Sequence, residues 1–115
     1  MSKALRVPDY LGHILQALER IGRYTDGMTE TAFLGDEQTQ DAVIRNIEII
    51  GEAANNIIRR YPEFAAAHSV IPWEDIYLMR NRVCHGYFSV DMEVVWKTVL
   101  RDLPVLGKQI RDLMD

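Results

Sequence analysis

Apolar residues recur at steps of three and four along most of the chain, the pattern of helices that each bury one face. A first helix is expected to start at Pro8 and Asp9, with Asp9 as its N-cap. Leu11, Ile14, Leu15, Leu18 and Ile21 then fall on one side of it. Thr25-Asp26-Gly27 ends that segment, and the turn TETAFLGD (29–36) follows, with Phe33 and Leu34 as its apolar anchor. A long second helix runs from about Asp36 to Arg60, carrying Val43, Ile47, Ile50, Ala54 and Ile57 on one stripe. The small residues of GEAAN (51–55) let another helix come close, and Pro62 stops the segment. Pro72 suits the first position of a third helix, with Ile71 or Ser69 just outside it. That helix carries Trp73, Ile76, Tyr77 and Val83, with Met79 beside them, and Gly86 is its expected C-terminal stop. Asp91 caps a fourth helix, whose stripe is Val95, Val99, Leu103, Leu106, Ile110 and Leu113. Pro104 lies inside that stripe and should kink or split it. No segment alternates as a strand would. The expected fold is therefore all-α: an antiparallel four-helix bundle with a kinked C-terminal helix, one domain over residues 1–115. The apolar seams on the second and fourth helices are long, and the pattern leaves open whether they serve the core, a dimer partner or both.

Composition narrows the classes. Hydrophobic residues make up 48% of 115 and charged residues 26%, the balance of a globular chain rather than a disordered one. Charged and polar residues interrupt every apolar run before membrane-spanning length, and MSKALRVPDY lacks the apolar stretch of a signal peptide. The lone Cys84 excludes an internal disulfide framework and fits a reducing compartment, so a cytoplasmic protein is expected. A net charge of −4 argues against a broad nucleic-acid platform, and any RNA or DNA contact would need a local basic site.

One stretch concentrates chemistry where the third helix should end: RNRVCHGY, Arg80 to Tyr87. On a regular helix Asn81 and His85 would share a face, whereas Arg80 and His85 would stand about 140° apart. Arg80 and His85 would then meet only where the helix is ending, or where a second chain supplies the other half. His85 falls in the expected last turn, where the helix dipole favours its protonated form, and histidine can give and take protons near neutral pH. Arg80 can hold a phosphate oxyanion with two hydrogen bonds. Asn81 can orient the imidazole or donate to the same phosphate. These residue types suit metal-free RNA cleavage, in which a 2′-hydroxyl attacks the adjacent phosphate. Spacing alone is a weak signal. Ten arginines and three histidines give about 0.8 chance matches to an Arg followed by His after four to six residues. The pattern in fact occurs twice, the second time from Arg6 to His13, across a helix start and without Asn or Tyr beside it.

The whole string MRNRVCHGYFSVD (79–91), with QDAVIRNIEIIGEAANNI (40–57) and PWEDIYLMRN (72–81), resembles the HepT-like toxins of the HEPN superfamily. The resemblance covers most of the chain. It implies a homodimeric all-α bundle whose Arg-x4-His motifs form a metal-independent endoribonuclease site at the dimer interface. Arg80 and His85 would be the catalytic pair and Asn81 their polar helper, with no cofactor and no metal. It also implies a toxin–antitoxin pairing with a minimal, MntA-like nucleotidyltransferase antitoxin that transfers AMP to Tyr87, and an RNA substrate, tRNA among the candidates. Cys84 stands where an aliphatic residue is expected, a position a buried cysteine fills as a small hydrophobe.

Each residue also has a plainer reading. Taken singly, Arg80 would cap carbonyls or pair with Glu74 or Asp75. His85 would be a helix-terminal histidine, Asn81 a solvated residue and Tyr87 a core-edge aromatic. His13 and His68 read as surface residues, Trp73 and Trp96 as packing, and Arg59 and Arg60 as complements to a helix dipole. No ligand cluster has metal spacing. Two other functions compete with the enzyme: a catalytically silent HEPN protein that only binds a nucleotidyltransferase, and a histidine phosphotransfer domain. The last wants a reactive histidine in mid-helix, which His85-Gly86 fits poorly.

Overall fold

The computed structural model describes residues 5–85 and 89–115, with the backbone alone at 83–85 and 89. Its elements in chain order are α1 (Val7–Tyr24), α2 (Glu30–Leu34), α3 (Glu37–Arg60), α4 (Pro62–Ala67) and α5 (Trp73–Val83). There follow β1 (Cys84–His85), β2 (Ser89–Val90), α6 (Met92–Lys97), a π-helical turn (Thr98–Asp102) and α7 (Leu103–Met114). The fold is an all-α bundle of four principal helices: α1, α3, α5 and the composite α6–π–α7.

Capping residues set the helix ends. Asp36 caps α3 by accepting the Thr39 amide at 3.0 Å, and Asp91 caps α6 by accepting the Glu93 and Val94 amides. The hydrogen bonds to Thr39 hold the Asp36 carboxyl below its usual value. At α1 the expected cap shifts by one turn segment. Arg6 is the N-cap, and Asp9 sits three residues in, accepting the Arg6 amide at 2.8 Å. Asp9 thus supplies the acidic half of a capping box, because Pro8 occupies the first turn, where its missing N–H costs nothing. After Pro62 the chain does not simply stop but starts the short α4, with Tyr61 as the joint.

The core is the sum of the predicted stripes. Ile14, Val43, Ile47, Ile50, Ile57, Val95 and Ile110 are completely buried, and Phe33 lies 5.0 Å from Trp96, ring centre to ring centre. Trp73 is also buried, so both tryptophans pack. Phe33 anchors α2 alone, since Leu34 is exposed. The Gln40 amide donates to the carbonyls of Phe33 and Leu34, fastening the end of α2 to α3 from a buried position. α1 and α3 run antiparallel: Tyr61, at the end of α3, donates from its hydroxyl to the Leu5 carbonyl at 2.7 Å. α3 and α5 also run antiparallel, and Gly51 sets their separation. A Cβ there would stand 3.3 Å from the Tyr77 carbonyl oxygen, so the missing side chain is what allows the two backbones to approach.

Pro104 produces the expected irregularity in a specific form. It has no N–H to donate, and its ring crowds the carbonyl four residues earlier. The helix widens ahead of it, and the Leu103 amide reaches back five residues to the Thr98 carbonyl. The seams of α3 and of α6–π–α7 are consumed inside the chain: Val43, Ile47, Ile50, Ala54 and Ile57 are all fully buried.

The end of α5 departs from the sequence expectation. The helix stops at Val83, and Cys84–His85 pairs antiparallel with Ser89–Val90, in the register Cys84 to Val90 and His85 to Ser89. Two residues per strand are too few to show alternation, so no strand signal existed in the sequence. Gly86, the expected stop, lies outside the described residues. Tyr77, expected on the buried face with Trp73 and Ile76, points outward and is 42% exposed.

Candidate active-site groove

A groove of about 580 Å³ opens along the outer side of α3, between α1 and α5. Its α3 wall carries Arg45, Glu48, Glu52 and Asn56, which recur every three or four residues opposite the buried stripe. Its α5 wall carries Tyr77, Arg80 and Asn81, and α1 contributes Tyr10 and His13. Gly51 forms part of the floor.

Two of the sequence-predicted residues therefore meet in this groove. Arg80 and Asn81 lie on the last turn of α5, both exposed. Arg80 does not pair with Glu74 or Asp75. Its Nε is 3.8 Å from Glu48 Oε2 across the groove, because the close approach at Gly51 brings α3 opposite. With both side chains substantially exposed, that pair is worth little to stability. Its value is directional: the carboxylate lies on the Nε side, and the two terminal nitrogens are the edge that takes a phosphate bidentately. Arg82, two residues on, turns away and donates to the Asp75 carbonyl at 3.3 Å.

His85 is not in the last turn of a helix. Its backbone lies in β1, two residues past the end of α5, so neither the helix dipole nor the 140° helical separation from Arg80 applies to it. The same change of backbone removes the shared face of Asn81 and His85. The His85 side chain and the whole of Tyr87 lie outside the described residues.

The sequence missed the other members of the groove. His13, read as a plain surface residue, is exposed and stands edge-on to Tyr10 at 6.2 Å, on the same groove as Arg80. Nothing in the sequence alone singles out Arg45, Glu48 and Glu52 beyond their own period: they mark the polar side of a helix whose neighbours on both sides are packed. His68 is half-buried rather than free on the surface, with its ring 4.5 Å from Phe64. Among the described residues no three His, Cys, Asp or Glu side chains gather as a metal-holding group, and no helix is long and apolar enough to cross a membrane.

Comparison with known proteins agrees with the sequence resemblance. The family model described as ribonuclease HepT-like matches residues 14–113. A probable ribonuclease HepT of Thermococcus cleftensis is 46% identical over 105 residues, 91% of this chain and 93% of that protein. A protein named as a candidate RNase in Caldanaerobacter subterraneus subsp. tengcongensis is 37% identical over 91% of each chain. A Methanocaldococcus jannaschii protein, named as a gamma-glutamylcyclotransferase and candidate RNase, is 42% identical over 92% of this chain but only 46% of its own length. No solved structure matches the chain. With a family model spanning nearly all of its helices and relatives of this identity along most of its length, the chain belongs to the HepT-like ribonuclease family.

Proposed function

We propose that this protein is a metal-independent endoribonuclease, the toxin of a toxin–antitoxin pair, acting at a site composed of Arg80, Asn81 and His85 from two copies of the chain. The observation that carries this is the placement of Arg80 and Asn81 side by side in an open groove of a chain that belongs to a ribonuclease family. In the proposed reaction an imidazole takes the proton of the 2′-hydroxyl as its oxygen attacks the neighbouring phosphorus. A second imidazole gives a proton to the departing 5′-oxygen, and Arg80 balances charge on the phosphoryl oxygens. The products are a 2′,3′-cyclic phosphate end and a free 5′-hydroxyl. A second chain is called for by the pair of imidazoles rather than by spare apolar seams, which the monomer uses itself.

Control is proposed at Tyr87, two residues after His85 in the chain. AMP added there by a nucleotidyltransferase partner would put a phosphate near Arg80 and compete with RNA for its charge. Incubation with RNA in EDTA should give cyclic-phosphate ends, and a single 2′-deoxy substitution at the cut should block it. Light scattering should give twice the chain mass. Tyr87→Phe should still cut RNA but resist silencing by the partner and ATP. Cleavage that needs added metal would overturn the mechanism. No cleavage with the partner still bound would leave the silent binding protein.

A further inference from the structure

The groove contains more than phosphate chemistry requires. Its cations, Arg45 and Arg80, are matched by two carboxylates, Glu48 and Glu52. A run of phosphates would be repelled by that mixture, whereas one phosphate at a guanidinium and one base at a carboxylate would each find a partner. Resting on the ribonuclease function proposed above, we infer that the groove holds one nucleotide of single-stranded RNA next to the phosphate engaged by Arg80, and that its base is guanine, stacked on Tyr77 and read by Glu52.

Three features support this. Tyr77 and Arg80 are three residues apart on one wall, a rise of about 4.5 Å, which suits a phosphate and a base of the same strand. Tyr77 is 42% exposed and is the aromatic residue on the outer side of α5, where Leu78 is also exposed and Trp73, Ile76 and Met79 are buried. An exposed aromatic ring on a polar groove wall is a stacking surface for a base. Glu52 lines the same groove as Tyr77, on the α3 wall next to Gly51, where the backbones of α3 and α5 come close. Glu48 faces Arg80, while Glu52 has no cation within ion-pair distance among the described residues and accepts only a long, exposed 3.4 Å hydrogen bond from the Asn56 amide at Oε1, which a base would displace.

The choice of base follows from donor count. An ionised carboxylate only accepts hydrogen bonds, and two oxygens are best satisfied by two adjacent donors. On its Watson–Crick edge only guanine has that pair, N1–H beside the N2 amino group. Adenine and cytosine set one amino donor beside a ring-nitrogen acceptor, and uracil sets one N–H between two carbonyls.

Two measurements on the intact protein test this independently. Calorimetric titration with GMP, AMP, CMP and UMP should show GMP binding at least about tenfold more tightly, with that margin lost in Glu52→Gln. Sequencing of cut ends from a randomised single-stranded RNA should show guanine enriched beside the cut, and Glu52→Gln should erase the enrichment with its melting temperature unchanged. Tyr77→Ala should raise KM about tenfold and more than it lowers kcat, while Tyr77→Phe, which keeps the ring, should restore KM. Equal binding of the four nucleotides, or binding of none, overturns the guanine site. Tight GMP binding with sequence-indifferent cutting overturns the RNA assignment and leaves a free guanine nucleotide as the ligand. Selective GMP binding by a protein that cuts no RNA would sink the ribonuclease function while upholding a guanine site.

Discussion

α3 has two faces on one backbone, and they do opposite work. Toward the core, Val43, Ile47, Ile50, Ala54 and Ile57 are completely buried. Toward the groove, Arg45, Glu48, Glu52 and Asn56 stand at the same period, half-buried or exposed. α5 repeats the division, with Trp73, Ile76 and Met79 inside and Tyr77, Arg80 and Asn81 on the groove. Stability comes from one face and the candidate chemistry from the other, because burial is favourable for apolar groups and costly for unpaired charge. Substitutions on the two faces should therefore separate cleanly into two kinds of effect.

The sharpest separation is expected on the groove side. Arg80→Ala and His85→Ala should each lower RNA cleavage by about 10²–10⁴-fold while the thermal transition of Arg80→Ala stays where it was. Arg80 has only a loose, exposed partner in Glu48, so little stability is lost with it. Unfolding of Arg80→Ala would instead make the end of α5 a structural terminus.

The converse belongs to the inner face. Ile50→Ala removes a fully buried side chain and should cost about 2–5 kcal/mol in denaturant unfolding, with kcat per folded molecule retained. A specific loss of kcat at full stability would blur the two faces.

Gly51 lies at the boundary between them. Gly51→Ala would place a methyl group 3.3 Å from the Tyr77 carbonyl, a contact tight enough that α3 and α5 must give by a few tenths of an ångström. A cost of about 1–3 kcal/mol is expected, together with weakened RNA binding, because the groove walls are spaced by this contact. An effect on stability alone would show that the groove tolerates wider spacing.

The smallest effect is expected far from both faces, at the start of α3. The Asp36 carboxyl is held below the ordinary carboxylate range by its hydrogen bonds to Thr39, so its ionised form is the one that the folded state favours. That contribution is present above the unfolded value and fades as pH falls through the lower folded one. Asp36→Asn keeps an N-cap acceptor and should flatten this acid-side slope of melting temperature without changing cleavage.

The sequence by itself determined the four principal helices, most of their buried stripes, the cap at Asp91, the irregularity before Pro104 and the motif at Arg80–Tyr87. These follow from periodicity and from residues with one dominant local effect, such as proline, capping aspartate and a small residue at a crossing. Only the tertiary structure decided which polar face becomes a groove. Glu48, Glu52 and His13 are ordinary solvated residues until α1 and α5 stand on either side of α3, and Arg80 finds Glu48 rather than Glu74 or Asp75 because Gly51 brings the helices together. The end of α5 was misread for the same reason. A helix continues or stops by small local differences, and the pairing of Cys84–His85 with Ser89–Val90 is an interaction across the chain that no pattern within either dipeptide records.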